Sequence, residues 1–293
     1  MVNPSDISNL PWLEPYKEQI KNLINNHKLP RVILLHGPEG MGKSILADDI
    51  ANIINPAANN IPVFGQDNTK ITVDDIRDII DRAQRTTDAG HYNVFVIKNC
   101  ENMASAAANA LLKTLEENNE NNYFILTTDN YNKILPTILS RCFKIAVSAE
   151  PEVIYNWLSS QGIADRTAQL CLLELADFGP RKALDYFANG YMDKLYKTSH
   201  ILGALNQSNL IHSHKQTVET MTIKENKKNI IDIASFIKII NYLLTKSFIE
   251  NASPVFSKPT FELIKKYKNH LDNNIAIDAS NVIYNILYSI QRG

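Results

Sequence analysis

At 293 residues, the chain is long enough for one large hydrophobic core and a smaller second unit. Its 30 lysines and arginines stand against 31 acidic residues, so no global basic field announces nucleic-acid binding. Three widely spaced cysteines, Cys100, Cys142 and Cys171, form no CxxC pair, which argues against a disulfide or zinc framework and for a reducing, cytoplasmic setting.

Met1 to Leu10 lack the basic flank and apolar run of a secretory signal. From there to residue 148, short apolar runs alternate with helical patterns, the signature of an α/β unit with a parallel sheet flanked by helices. Val32-Ile33-Leu34-Leu35 predicts a buried strand that runs into Gly37-Pro38-Glu39-Gly40-Met41-Gly42-Lys43-Ser44, and Lys43 to Ile54 reads as the following helix. Thr72 is placed to cap a helix running through Arg85, with Asp74 and Asp75 in its first turn, where the positive helix end favours acids. Val94 to Ile97 predicts a second strand, Tyr123 to Thr127 a third and Phe143 to Val147 a fourth. Between the second and third, Ala104, Ala107, Ala108, Leu111, Leu112 and Leu115 keep helical spacing.

Beyond Pro151 the pattern predicts helices only. Pro151 to Ser160 and Arg166 to Phe178 form a small unit, closed by Gly179-Pro180 and a helix from Arg181 to Asn189. A polar stretch near 206–217 and the charged run Lys224 to Lys228 separate it from a last helical region. There Ile233, Phe236, Ile237, Ile240, Leu243 and Leu244 make one apolar stripe and Ala276 to Ile290 another. The most apolar segment, Ile230 to Leu244, is broken by Asp232 and Lys238 and is a poor membrane span. The expected layout is a nucleotide-binding-type α/β domain at 1–148, a helical lid at 149–198 and an all-α domain at 199–293.

The stretch from Gly37 to Ser44 is a complete Walker A loop. Glycines let backbone N–H groups turn toward phosphate oxygens, Lys43 neutralises the β/γ charge, and the Ser44 hydroxyl is the magnesium ligand. A glycine turn in an ordinary βα unit is the bland alternative. The strand that should carry the matching carboxylates ends instead in Lys98-Asn99. Magnesium needs oxygen ligands and hydrolysis needs a group that positions water. A lysine roughly 5 Å from a dication is repelled by several kcal/mol at an effective dielectric of about 20. Glu101, the one acid nearby, has three residues between it and the strand end. The prediction is no metal site and no turnover by this chain alone. Nucleotide binding without turnover and an empty site both stay open.

Two segments carry a family resemblance. Asn109-Ala110-Leu111-Leu112-Lys113-Thr114-Leu115-Glu116-Glu117 and Ile134-Leu135-Pro136-Thr137-Ile138-Leu139-Ser140-Arg141-Cys142 resemble the bacterial clamp-loader branch of the AAA+ ATPases. Ile71 to Arg77 is similar to the segment those proteins carry before the Walker B strand, and Pro11-Trp12-Leu13 with Leu29-Pro30 adds to the likeness. The resemblance covers residues 10–190 well and the last hundred only in helical character.

It implies an AAA+ P-loop domain, a lid and a C-terminal collar-type domain for oligomerisation. It also implies an arginine finger at Arg141 acting on a neighbouring subunit's ATP. Arg181, in Arg181-Lys182-Ala183-Leu184, falls on sensor 2, and Thr127 and Thr128 fall near sensor 1 with no choice between them. ATP or ADP is the implied ligand of Gly37, Gly40, Gly42, Lys43 and Ser44. The implied partners are the gamma/tau motor and delta subunits in a hetero-pentameric ring, the sliding clamp, and primed DNA through the complex. The assembly as a whole serves the DNA polymerase III holoenzyme. The bland readings are a solvated surface arginine for Arg141 and a surface residue at a helix N-terminus for Arg181.

Active members carry Asp-Glu where this chain has Lys98-Asn99, which favours a non-hydrolysing subunit over the motor. Many also carry a four-cysteine zinc module, whereas Asn55 to Lys70 is short and cysteine-free, so no zinc is expected. The alternatives are an active motor subunit, with Glu101 completing its metal site, and a P-loop small-molecule kinase. The kinase reading leaves the Ser140-Arg141-Cys142 segment and the helical regions without a role.

Overall fold

The computed structural model describes residues 9–56, 61–66, 69–84, 92–116, 121–205, 210–225, 228–249, 258–272 and 278–292. In chain order the elements begin α1 (Glu14–Asn25), β1 (Val32–His36), α2 (Lys43–Ile54), β2 (Val63–Phe64), α3 (Val73–Ala83) and β3 (Asn93–Ile97). They continue through α4 (Ser105–Glu116), β4 (Asn122–Thr128), α5 (Pro136–Leu139), β5 (Phe143–Ala146), α6 (Pro151–Ser160), α7 (Arg166–Leu175) and α8 (Pro180–Ala188). Then come α9 (Tyr191–Ala204), α10 (Leu210–Met221), β6 (Thr222–Glu225), β7 (Lys228–Ile231), α11 (Ile233–Ile249), α12 (Lys258–Asp272) and α13 (Ala279–Arg292). Two compact units divide the chain: Met1–Gln169 with Ala176–Lys182, and Leu170–Leu175 with Ala183–Gly293.

The first unit is built on a parallel sheet of order β2-β3-β4-β1-β5. Central strands of such a sheet are covered on both faces, so they read as unbroken apolar runs rather than alternating ones. Ile33, Leu34 and Leu35 in β1 and Phe124, Ile125 and Leu126 in β4 are accordingly withdrawn from water. Phe95 stacks on Phe124 with ring centroids 5.2 Å apart. Around that pair, Ile76 and Ile79 of α3, Leu111 of α4 and Ile138 of α5 complete one core cluster.

Helix α3 starts at a full capping box. The Thr72 hydroxyl accepts the Asp75 N–H, and the Asp75 carboxylate accepts the Thr72 N–H at 2.7 Å. The helix ends at Ala83, and the expected end at Arg85 lies outside the described residues. One buried polar contact fixes the pairing of β3 with β4. Asn93 donates to the Asn122 side chain at 2.9 Å, and Asn122, 3 % exposed, donates to the Ala83 carbonyl at 3.0 Å. Strand β2 was not expected from the sequence because two residues carry no periodicity. Helix α6, read from sequence as the start of the lid, packs within this unit. Trp157 meets Trp12 edge-on at 5.3 Å and donates to the Asn9 carbonyl.

The second unit gathers Phe236, Ile240 and Leu244 of α11 with Val282, Ile283, Ile286 and Leu287 of α13. Two readings made from the sequence are corrected here. The region is not helical throughout, because β6 and β7 pair as an antiparallel hairpin with Ile223 opposite Ile230. The charged run Lys224 to Lys228 hid it, with residues 226–227 outside the described set. The polar stretch read as a separator contains α10, whose buried face is Ser213, Thr217 and Met221. Small hydroxyl residues line that face, and Thr217 returns its hydroxyl to the Ser213 carbonyl at 2.8 Å, so no apolar stripe marks the helix. Residues 206–209 and the expected start of the last helix at Ala276 lie outside the described residues. Among the described residues no helix is long and apolar enough to cross a membrane.

Lys194 and Asp232 form a largely buried ion pair at 2.9 Å, with side chains 10 % and 21 % exposed. Burial alone would raise the Asp232 carboxyl pKa, but the Lys194 ammonium and hydrogen bonds from Ser235 hold it below its ordinary value. A depressed folded-state pKa contributes stability above the unfolded-state value, and that contribution is lost as pH falls. Stability should therefore decline as pH drops below about 4, with Asp232→Asn less stable at neutral pH and flatter along the acid limb. Urea titrations at several pH values check this. An acid limb of unchanged slope in the variant would remove Asp232 from the account.

Candidate nucleotide site

Strand β1 delivers the chain into the loop Gly37–Gly42, and Gly42 is the N-cap of α2. Gly40 and Gly42 hold φ angles of +85° and +89°, left-handed backbone that an L side chain resists. Lys43, the first residue of α2, is only 4 % exposed. Its ammonium donates to the Gly37 carbonyl at 2.9 Å and the Pro38 carbonyl at 2.7 Å, and it pairs with the Asp129 carboxylate at 2.5 Å. Asp129 follows β4 directly, and its N–H donates to Glu101 Oε1 at 2.9 Å. The two candidate sensor threonines serve the backbone here. Thr127 Oγ1 accepts the Asn99 N–H and Thr128 Oγ1 accepts the Asn130 N–H, both at 3.1 Å.

Two further carbonyls of the loop are held from outside it. The Arg181 N–H donates to the Gly40 carbonyl at 3.1 Å and Trp12 Nε1 to the Met41 carbonyl at 2.9 Å. Lys182 pairs with the Glu39 carboxylate. A Cβ on Gly179 would fall 1.8 Å from the Glu39 carbonyl oxygen, so only glycine lets these two backbones approach.

Just past the end of β3, Lys98 is 8 % exposed and its ammonium meets Asp48 at 2.8 Å. Asp48 lies four residues after Ser44, one turn along the same face of α2. Asn99 takes φ +51° and donates its side-chain amide to the Gly65 carbonyl at 3.1 Å. Glu101 sits in a short 3-10 turn, one oxygen on the Asp129 N–H and the other buried without a partner. Among the described residues no three His, Cys, Asp or Glu side chains converge as a metal set. The arrangement offers a dication an ammonium where carboxylates are needed, so it does not fit magnesium. It does fit phosphate, through Lys43, Ser44 and the glycine backbone.

A cleft of about 180 Å³ opens over Gly40, Lys43, Ser44, Asn99, Asp129 and Arg181, below the roughly 300–1,000 Å³ of usual small-molecule sites. Within it, Arg181 Nε is buried and has no partner. Burial, then the positive Lys43 and Lys144, holds the His36 imidazole below its ordinary pKa. The structure thus brings Gly37, Gly40, Gly42, Lys43, Ser44 and Arg181 together and leaves Arg141 out of the cleft. Arg141 lies just past α5, with its side chain 31 % exposed. It donates to the Thr137 carbonyl at 2.6 Å and pairs with Glu116 at the end of α4.

Burial raises the Cys142 thiol to about 11 and the Cys100 thiol well above its ordinary value, which keeps both protonated and unreactive. Sequence reasoning missed Asp129, Asp48 and Gly179. An acid directly after the Thr127-Thr128 strand end was the available signal for Asp129. Nothing local marked the other two.

A parallel sheet of order β2-β3-β4-β1-β5 with a Walker A loop leading from β1 into α2 is a P-loop α/β domain. The likeness to a DNA polymerase III gamma subunit-related protein from Thermotoga maritima accords with that fold. The TM-score is 0.55 at 20 % identity, over 96 % of this chain and 98 % of that one. More specifically, residues 48–151 match the family profile described as DNA polymerase III, delta subunit. The chain is 28 % identical over 210 residues to the DNA polymerase III subunit delta' of Haemophilus influenzae, covering 63 % of each. It is 30 % identical over 216 residues to that of Buchnera aphidicola, covering 64 % of this chain and 65 % of the relative. These matches span just under two thirds of each relative's length. The resemblance read from the motifs is therefore to delta-prime in particular.

Gly179→Ala tests the clamp on the loop. It should lower stability by about 1–3 kcal/mol through overpacking against the Glu39 carbonyl, read as a lower urea midpoint at constant slope. An unchanged midpoint would mean that the loop yields freely.

Proposed function

We propose that this chain is a non-hydrolysing, delta-prime-type subunit of a bacterial DNA polymerase III clamp loader, acting in the cytoplasm. The observation that carries the reading is the Lys98–Asp48 ion pair at 2.8 Å, which puts a fixed positive charge where a hydrolysing subunit needs acids. The similarity to DNA polymerase III delta' subunits supports it. In this reading the gamma/tau and delta subunits complete a hetero-pentameric ring, joined through the helical C-terminal region from about residue 199. The lid spans 149–198, and the ring helps load the sliding clamp onto primed DNA.

Arg141 is the residue through which the chain acts on its neighbour's ATP. A guanidinium is permanently charged and presents a planar fork of donors suited to phosphate oxygens. Its partly exposed position and its absence from the chain's own cleft suit an action in trans. Glu116, with which it pairs, acts as a positioning residue that holds the guanidinium until a stronger anion is presented.

The test is ATP turnover by the purified chain, alone and mixed with gamma/tau and delta. No turnover alone and Arg141-dependent turnover in the mixture are expected. Arg141→Ala should leave assembly intact on gel filtration and slow turnover by about 10³-fold, the scale of an arginine finger. Unchanged turnover by the mutant complex would remove the finger. Turnover by the chain alone, abolished by Lys43→Ala, would make it a motor subunit.

A further inference from the structure

Helix α13 carries a row of rings on its exposed face. Tyr284 and Tyr288 stand four residues apart, one turn along the same face. Each is 38 % exposed, and their ring planes lie within 10° of parallel with centroids 6.2 Å apart. His214 of α10 meets Tyr284 edge-on at 5.6 Å, and the Arg292 guanidinium lies over the Tyr288 ring, its carbon 4.6 Å from the centroid. Beside Tyr284, the Asn285 amide donates to the Tyr267 hydroxyl at 3.1 Å, which ties α12 to the row. Tyr267 is half-buried, whereas its neighbours Lys266 and Lys268, and Lys265 before them, are exposed.

These lysines are not balanced from within. From Leu263 to Leu271 the chain holds three lysines, a histidine and no acid. Glu262, the acid one turn back on α12, closes no ion pair with any of them among the described residues. By contrast, the exposed Lys21 and Lys197 are matched by Glu18 and Asp193 on their own helices. The whole chain carries a formal charge of -1, so the patch is a local field and not a bias of composition. A group of unpaired cations attracts a polyanion. Tyrosine rings left partly in water suit flat apolar partners. Single-stranded nucleic acid offers both, phosphates at intervals and base faces free to stack. A duplex keeps those faces stacked inside, and an acidic peptide brings charge without them.

We propose that this face of α12 and α13 binds single-stranded nucleic acid, with Lys265, Lys266, Lys268 and Arg292 on the phosphates and Tyr284 and Tyr288 stacking on bases. The inference does not depend on the clamp-loader reading, since it uses only side chains of the helical unit.

Fluorescence anisotropy of the full chain with labelled oligo(dT) of about 20 nucleotides, and with a duplex of the same length, tests this. The single strand should bind more tightly than the duplex. With about four phosphates neutralised, log affinity should fall against log salt with a slope of about -3. Replacing the three lysines together by Gln should flatten that slope to about -1. Tyr284→Leu with Tyr288→Leu should weaken binding about tenfold, and Tyr284→Phe with Tyr288→Phe should restore it, because the rings and not the hydroxyls do the stacking. No binding at low salt, duplex bound as tightly as the single strand, or wild-type affinity in both the Gln and the Leu variants would overturn the proposal. So would variants that keep oligo(dT) binding yet fail to assemble with gamma/tau and delta on gel filtration, which would make the face a subunit interface. Should the Leu variant not fold, the salt slope of the Gln variant decides, and an unchanged slope overturns the inference. Oligo(dT) binding by the lone chain and Arg141-dependent turnover by the complex are separate readouts, so either reading can fail without the other.

Discussion

An ammonium only 4 % exposed has to be neutralised inside the protein, and the nucleotide-binding face of this chain is organised by how Lys43 meets that demand. Two carbonyls of its own loop and the carboxylate at the end of β4 surround it. Two further loop carbonyls are taken by Trp12 and the Arg181 backbone. On its carbonyl side the Walker A loop is held by groups of the protein itself.

That self-sufficiency bears on what the motif means. In a hydrolysing site the lysine, the magnesium and the strand-end acids form one electrostatic system. Here the system has separated into two pairs, Lys43 with Asp129 and Lys98 with Asp48. Each is charge-balanced, so Lys98 and Asn99 at the end of β3 are compatible with the fold.

The first unit was largely legible in the sequence because its strands are buried on both faces and its helices are capped or amphipathic. Val32–His36 and Lys43–Ile54 emerged almost residue for residue. Lys43 and Ser44 were legible because the loop's spacing encodes a geometry, Lys98 because it follows the second strand, and Arg181 only through the family resemblance. Their partners were hidden. Lys98 and Asp48 lie 50 positions apart and Lys182 and Glu39 lie 143 apart, so only the folded chain introduces them. In the second unit, α10 buries Ser213 and Thr217 beside Met221, and β6–β7 sits across a charged run. Periodicity of apolar residues, the signal being read, is weak in both.

The amide pair Asn93–Asn122 acts as a proof-reading step in assembly. A parallel strand that slips by one residue exchanges its two faces. In such a sheet both faces are apolar, so hydrophobicity alone would discriminate poorly between registers. Here a slip would strand two amides among hydrocarbon, at about 1–3 kcal/mol for each group left unpaired.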